Sequence, residues 1–203
     1  MRIDPYTDVL LVIDMQNDFC PGGSLAVAGG DELVPVINDL ARAFHHVVLT
    51  QDWHPAGHSS FASSHPGAAA YSQITMPYGP QTLWPDHCII GTRGAELHAG
   101  LDIPHAELLI RKGFRRPIDS YSAFFENDHH TPTGLSGYLR ERGFKRVVCA
   151  GLAFDYCVRF SAEDAKAQGF EVMVIEKACR GIDLGGSVAA ARTAFAAVGI
   201  ALV

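Results

Sequence analysis

Four side chains capable of catalysis follow four short apolar segments of the chain. Asp14 ends the segment VLLVID, and Asp52 follows VVLTQ. Lys112 ends ELLIRK, and Cys157 follows RVVCAGLAFDY. A thiol beside a carboxylate and an ammonium group can act as a nucleophile, because the carboxylate accepts the thiol proton and the cation favours the thiolate. Asp14, Lys112 and Cys157 are therefore a candidate triad, with a plain salt bridge between Asp14 and Lys112 as the alternative.

Cys157 stands where an apolar segment gives way to a helical pattern. We expect Asp155 to cap that helix, which puts Cys157 in the first turn. The helix dipole and the free backbone N–H groups there favour a thiolate and would stabilise an oxyanion. A buried structural cysteine is the alternative, since that is the usual environment of this residue type.

A second cluster could bind a metal ion. Asp52 and His54 are separated by one residue, so in extended backbone both side chains point the same way. His87 would supply a third ligand and leave positions open for water or substrate. Solvated loop histidines are the alternative. Other ligands nearby keep the choice open: His58, His65 and Ser60.

The elements that must position these residues alternate along the chain. Short apolar segments predict six buried strands: Val9–Ile13, Val47–Leu49, Leu108–Ile110, Val147–Ala150, Val172–Ile175 and Ile200–Val203. Apolar residues at helical spacing lie between them: Leu33, Ile37, Leu40 and Phe44; Leu135 and Leu139; Val158, Ala162 and Ala165; Val188, Ala191 and Phe195. The alternation predicts an α/β fold, a parallel sheet of about six strands with helices on both faces. In such a sheet, ligands bind at the carboxyl ends of the strands.

One stretch interrupts this alternation. Residues 53–104, called the irregular segment below, show no periodicity and are rich in Gly, Pro, Ser, Ala and His. A loop of that length in a compact domain either is functional or contains elements that the sequence pattern does not reveal. We predict a single domain over residues 1–203, with the irregular segment as a metal-binding insertion.

The composition excludes several classes of protein. Apolar residues make up 48% and charged residues 19%, which indicates a globular rather than a disordered chain. With a net charge of −6 and no Lys/Arg run long enough to track a phosphate backbone, nucleic acid is not expected as a partner. The N-terminal apolar run Val9–Ile13 is too short for a signal or membrane segment, so we predict a cytoplasmic protein without a membrane partner. No C-x-x-C pair occurs, and we expect four cysteines to be structural: Cys20, Cys88, Cys149 and Cys179.

Taken together, the motifs resemble the nicotinamidase branch of the isochorismatase-like cysteine hydrolase superfamily. The matching stretches are VIDMQNDFCPGGSLAV (12–27), QDWHPAGHSSFA (51–62), LWPDHCIIGTRGAELH (83–98), RKG (111–113), DSYSAFF (119–125) and GLAFDYCV (151–158). The resemblance covers nearly the whole chain, and the stretches in this order are highly specific. It implies an isochorismatase-like, Rossmann-like three-layer sandwich.

The resemblance also implies roles for individual residues. The implied catalytic residues are Asp14, Lys112 and Cys157, and the implied metal ligands are Asp52, His54 and His87. Ser60 matches a variable further ligand, whereas His58 is outside the family's ligand positions. A cis peptide before Ala153 would turn the N–H groups of Ala153 and Cys157 into an oxyanion hole. The substrate ring would be held by Phe19, Trp84 and Tyr121, with Tyr156 as a wall.

The implied activity is hydrolysis of nicotinamide to nicotinate and ammonia, with pyrazinamide as a second substrate and a role in NAD salvage. The implied cofactor is one divalent metal ion; zinc suits the ligands, and iron or manganese accepts the same set. The oligomeric state is open, a homo-oligomer included. Phe154 stands where the family often has Thr. A bulky ring beside the oxyanion hole affects the expected range of substrates rather than the expected chemistry. The alternatives are an amidase for another small amide, a metal-hydroxide hydrolase, and a non-enzymatic metal-binding or redox-sensing protein.

Overall fold

One parallel sheet of six strands organises residues 2–203, which the computed structural model describes. The strands are β1 (Asp8–Ile13), β2 (Val47–Asp52), β3 (Gln73–Met76), β4 (Gly79–Thr82), β5 (Leu108–Lys112), β6 (Arg146–Leu152), β7 (Glu171–Arg180) and β8 (Ala201–Leu202). The helices are α1 (Leu33–Ala41), α2 (Leu135–Glu141), α3 (Arg159–Ala167) and α4 (Ser187–Val198). The sheet order is β5-β2-β1-β6-β7-β8, and neighbouring strands are parallel. The predicted fold class is confirmed.

Alternate residues of β1 enter two separate hydrophobic clusters. Val9, Leu11 and Ile13 pack in the cluster that contains residues of α2, α3 and α4. Leu10 and Val12 pack in the cluster that contains residues of α1 and of the irregular segment. All residues of β1 are buried, as expected for a strand covered on both faces.

The irregular segment contains two short strands that the sequence does not predict. β3 and β4 form an antiparallel hairpin. The side chains of β3 are exposed or half-buried, and β4 contains Pro80, so neither strand shows the apolar run on which strand prediction depends. Isolated bridges join His54 to Ile89 and Phe61 to Trp84, which ties the segment together.

Two further predictions concern the chain as a whole. Within residues 2–203, no helix is long and apolar enough to cross a membrane. The assignment of residues 1–203 to a single domain stays a prediction; both hydrophobic clusters pack against the same sheet.

The strand order brings four carboxyl ends to one edge of the sheet. β5, β2, β1 and β6 are adjacent, and adjacent parallel strands end at the same edge. Lys112 and Asp52 are register partners and the last residues of β5 and β2. Asp14 follows β1 directly, and the turn that carries Cys157 follows β6. The topology thereby gathers the candidate triad and one candidate metal ligand.

Gly151 is a position in β6 that requires glycine. It has φ +123°, and a Cβ there would lie 2.1 Å from the Ile13 carbonyl oxygen. We expect Gly151→Ala to lower the free energy of unfolding by about 2–4 kcal/mol, because backbone strain and the clash add. Urea unfolding measures the loss. Gly134→Ala is the control, since Gly134 has φ +101° but no atom within 4 Å of an added Cβ; equal losses would contradict the steric explanation.

Candidate active site

Lys112 lies at the centre of the predicted site residues. Its buried Nζ is 2.8 Å from Asp14 Oδ2 and 2.7 Å from Asp52 Oδ1. The same nitrogen is 3.4 Å from Cys157 Sγ and donates a hydrogen bond to the Ser120 carbonyl oxygen at 3.0 Å. Side chains of residues far apart in the chain therefore surround one ammonium group. This is the arrangement expected from their positions at the carboxyl ends of the strands.

Asp14 is held rigidly beside the thiol. Its backbone N–H donates to Thr50 Oγ1 (3.1 Å), and the Thr50 hydroxyl donates to Asp14 Oδ1 (2.5 Å). The other oxygen, Oδ2, faces Lys112, and a carboxylate oxygen of Asp14 lies within 4.8 Å of Cys157 Sγ. Asp14 is thus within reach of a proton from the thiol. Thr50 is not among the predicted site residues, because only the pairing of β1 with β2 brings it to Asp14.

Burial and neighbouring charges set the protonation of the triad. Burial raises the pKa of Asp14, against the opposing effect of Lys112. Burial also raises the pKa of Cys157 well above its usual range; Lys112 lowers it, but Asp14 and Asp52 offset that cation. Burial alone would lower the pKa of Lys112, yet Asp14 and Asp52 hold it well above the ordinary value. The two carboxylates therefore favour the charged lysine, while burial and the same carboxylates favour the protonated thiol.

The prediction that Asp155 caps the helix after β6 is wrong. Residues 154–158 form a single π-helical turn that leads into α3, and no side chain caps it. Asp155 instead accepts hydrogen bonds from the backbone N–H groups of Ile182 and Asp183 in the loop after β7. Cys157 lies in this turn. The peptide bond between Leu152 and Ala153 is cis, which the resemblance implies.

Asp52, His54 and His87 form a buried cluster suited to a metal ion. One potential ligand atom from each lies within 4.8 Å of the others. The Nδ1 atom of His54 donates to the Gly113 carbonyl oxygen, and that of His87 to the Pro85 carbonyl oxygen, each at 2.8 Å. These bonds leave both Nε2 lone pairs facing Asp52 Oδ2, at 3.5 and 3.7 Å. Among residues 2–203, His54 Nε2 is buried without a hydrogen-bond partner. The residues fit a divalent ion.

Gln16 orients Asp52 in this cluster. The Asp52 backbone N–H donates to Gln16 Oε1, and Gln16 Nε2 donates to the Asp52 carbonyl oxygen, each at 2.8 Å. Burial would raise the pKa of Asp52, but Lys112 and His54 hold it well below its usual range, so the carboxylate is ionised. Gln16 is not among the predicted site residues, although it belongs to the motif VIDMQNDF.

The other candidate ligands of the irregular segment are less suitable. The His58 ring pairs with Ser60 Oγ through Nδ1 (2.8 Å), and its Nε2 donates to the carbonyl oxygens of Arg115 and Ile118 at 3.0 Å. His65 Nε2 donates to a backbone carbonyl at 2.8 Å. Both nitrogens of the His58 ring are therefore engaged, and among residues 2–203 His65 belongs to no cluster of potential metal-ligand atoms, whereas Ser60 stays an open choice.

A narrow cleft beside Cys157 is lined by aromatic rings. All four predicted substrate-binding residues line it: Phe19, Trp84, Tyr121 and Tyr156. The Trp84 indole N–H donates to the Tyr121 hydroxyl at 3.1 Å, and the Trp84 and Tyr156 rings meet edge-on at 4.8 Å. Ala153, Asp52 and His87 line it too. Three lining residues are not among the predicted ones: Leu25, Asp119 and Ile182.

A match to a family model over nearly the whole chain identifies the protein family. The family model for the isochorismatase domain matches residues 8–202. The chain belongs to the isochorismatase family. A nicotinamidase of Acinetobacter baylyi is 56% identical over 88% of this chain and 83% of its own length. The solved structure of an Acinetobacter baumanii nicotinamidase/pyrazinamidase is 53% identical, covers 99% of this chain and 97% of that one, and superposes with a TM-score of 0.98.

Two solved relatives contain ligands. A protein of L. infantum in complex with nicotinate is 40% identical over 100% of this chain and 95% of that one, with a TM-score of 0.87. A Pyrococcus horikoshii pyrazinamidase in complex with zinc is 36% identical over 97% of this chain and 98% of that one, with a TM-score of 0.79. These family members bind a pyridine carboxylate and a metal ion respectively.

Phe154, the departure from the common family pattern, lies in the hydrophobic core beside α4. Its buried ring packs edge-on against Phe195 of α4, with 5.6 Å between the ring centroids. It is absent from the residues that line the cleft between positions 2 and 203. The side chain of Phe154 therefore packs in the hydrophobic core and is not part of the cleft wall.

We expect His54→Ala to reduce the bound divalent metal of this isochorismatase-family protein from about one ion per chain to a small fraction, since ligand removal opens the cluster. Elemental analysis after dialysis against a weak chelator measures the stoichiometry. His65→Ala is the control and should keep the full content. Equal metal content in both variants would show that the ion binds elsewhere.

Proposed function

We propose that this chain hydrolyses nicotinamide to nicotinate and ammonia through a thioester on Cys157, deamidates pyrazinamide as well, and serves NAD salvage. One observation carries the proposal: Cys157 Sγ, 3.4 Å from Lys112 Nζ and close to the Asp14 carboxylate, opens into an aromatic cleft. The relatives named nicotinamidase support the substrate. A cytoplasmic location and a homo-oligomeric state stay predictions.

Acylation begins with proton transfer inside the triad. Asp14 takes the proton of the Cys157 thiol, and the sulfur attacks the carboxamide carbon, so that a C–S bond forms and the carbonyl electrons move to oxygen. The backbone N–H groups of Ala153 and Cys157 stabilise the resulting oxyanion; loss of one such donor typically costs about 3–4 kcal/mol of barrier. Asp14 then gives its proton to the amide nitrogen, the C–N bond breaks, and ammonia leaves.

Deacylation uses the same carboxylate as a base. Asp14 takes a proton from water, and the hydroxide attacks the thioester carbon. The C–S bond breaks, the proton on Asp14 returns to the sulfur of Cys157, and the product leaves as nicotinate after its remaining acid proton passes to solvent. Lys112 stays protonated throughout, and its charge compensates the thiolate and the carboxylate in turn.

The opposite end of the cleft orients the ring. We propose that Asp52, His54 and His87 hold a divalent ion, zinc in preference to iron or manganese. When bound, this ion acts as a Lewis acid toward the pyridine nitrogen and thereby orients the substrate. Phe19, Trp84, Tyr121 and Tyr156 provide the apolar walls that pack on an aromatic ring.

Cys157→Ala should reduce ammonia release from nicotinamide at least about 10⁴-fold, because a nucleophile has no substitute in a covalent mechanism. Cys20→Ala, which removes a thiol outside the cleft, is the control and should retain activity. Mass spectrometry of quenched wild-type enzyme should show a nicotinoyl adduct on Cys157. Substantial turnover by Cys157→Ala together with loss in His54→Ala would favour a metal-hydroxide hydrolase instead.

A substrate panel tests the role of the ring nitrogen. We expect pyrazinamide to be hydrolysed with a kcat/KM within about tenfold of that for nicotinamide, since it retains a nitrogen in the required position. Benzamide lacks that nitrogen and should be at least about 100-fold poorer, because a site built for a polar contact rejects a substrate without it. Ammonia release measures all three. A faster reaction with an unrelated small amide would identify a different amidase of the same family.

A further inference from the structure

One carboxylate ties the turn of Cys157 to the loop between β7 and α4, residues 181–186, here called the wall loop. Asp155 is 1% exposed, and its Oδ1 accepts a hydrogen bond from the Ile182 backbone N–H at 2.9 Å. Its Oδ2 accepts from the Asp183 backbone N–H at 2.8 Å and from the Ser187 hydroxyl at 2.5 Å. Three donors from one stretch thus converge on a residue two positions before the nucleophile. The chemistry proposed above makes no use of this carboxylate.

The wall loop has a conformation that needs support. Asp183 has φ +58°, in the left-handed region that residues with a Cβ rarely adopt. A Cβ on Gly181 would lie 2.4 Å from Val188 Cγ2 and 3.0 Å from Asp155 Oδ1, so the loop packs directly on the carboxylate. The hydrogen bonds to Asp155 therefore compensate a backbone path that is unfavourable alone.

Ile182 is the member of the wall loop that reaches the cleft. It lines the cavity together with Cys157 and Tyr156, on the apolar side of the site. Because Asp155 binds the backbone of Ile182, the separation between this wall and the nucleophile is set by a direct hydrogen bond rather than by loop packing alone.

We propose that Asp155 is a positioning residue that holds Ile182 against the substrate ring, and that Ile182 thereby decides which ring substituents the cleft accepts. This inference rests on the proposed hydrolysis of nicotinamide. Asp155 lies in the turn of Cys157 and binds the wall loop that carries Ile182. The position of the nucleophile and the choice of substrate ring are therefore coupled.

Steady-state kinetics with nicotinamide and a series of ring-methylated nicotinamides test the inference. Asp155→Asn replaces an acceptor oxygen with an N–H donor, so KM for nicotinamide should rise at least about tenfold while kcat stays within about threefold. Ile182→Ala should raise kcat/KM for at least one methylated analogue relative to nicotinamide by about tenfold or more, the size expected for one methyl group in an apolar pocket. Ser187→Ala removes one donor of three and should raise KM less than Asp155→Asn.

Glu176→Gln is the matched control. Glu176 on β7 pairs with Arg192 on α4 at 2.7 Å, so it links the two elements that flank the wall loop, but the pair is exposed and lies outside the cleft. In the Glu176→Gln variant, KM for nicotinamide and the relative kcat/KM values of the substrate series should stay within about twofold of wild type. Hydrogen exchange adds a readout independent of turnover: the amides of Ile182 and Asp183 should exchange faster in Asp155→Asn than in Glu176→Gln.

The outcomes separate this inference from the proposed function. Wild-type enzyme that releases no ammonia from nicotinamide overturns both. Active wild type with unchanged KM in Asp155→Asn and unchanged ranking in Ile182→Ala overturns the inference alone. A purely structural role for Asp155 would lower the melting temperature and the active fraction without moving KM, which also overturns it. If Asp155→Asn does not fold, Ile182→Ala and Ser187→Ala decide by the same criteria.

Discussion

A single buried ammonium group links every part of the candidate site. Lys112 Nζ contacts carboxylate oxygens of Asp14 and Asp52 within 2.8 Å, and Cys157 Sγ at 3.4 Å. Removing an ion from water costs several kcal/mol, and only close opposite charges and hydrogen bonds offset that cost. The cation at the end of β5 therefore requires the carboxylates that end β2 and follow β1. The candidate triad and the candidate metal ligands form one electrostatic unit, joined through the contact between Lys112 and Asp52.

The same charge balance explains the state of the nucleophile. Two carboxylates around one lysine leave little net positive charge for the thiol, and burial raises its pKa further. Both effects favour the protonated thiol over the thiolate, which is the nucleophilic form. In the proposed reaction, negative charge passes from sulfur to the substrate oxygen as it forms, so Asp14 needs to hold the proton only briefly. Reactivity is thus tied to a bound carbonyl group.

Residues of the candidate site come from the carboxyl ends of the sheet strands and from the loops around them. The strand ends present Asp14, Lys112 and the Cys157 turn, whose positions follow from the strand order. The irregular segment supplies His54, His87 and Trp84, and bridges between its distant parts keep these residues close. The loop after β7 completes the cleft with Ile182. The candidate catalytic residues therefore lie at or just after the carboxyl ends of sheet strands, and most residues that line the cleft lie on loops.

By itself, the sequence determined the α/β class, six of the strands and the polar residues at their ends, because apolar runs and helical spacing are local properties. It left the metal ligands open among several histidines, and the resemblance to a family narrowed them. Only the tertiary structure decided which ring nitrogens are free: His58 is satisfied by two carbonyl oxygens more than fifty positions away, whereas His54 Nε2 has no partner within residues 2–203.

The remaining differences between the predictions and the structure also arise from contacts between residues distant in the sequence. Asp155 was expected to cap its own helix but binds Ile182, 27 positions along the chain. Thr50 and Gln16 meet Asp14 and Asp52 across 36 positions, through the pairing and packing of neighbouring strands. The short hairpin of β3 and β4 escaped prediction because its pairing, rather than its apolar content, defines it. Local patterns specify elements and residue types, but a hydrogen-bond partner distant in sequence exists only once the chain has folded.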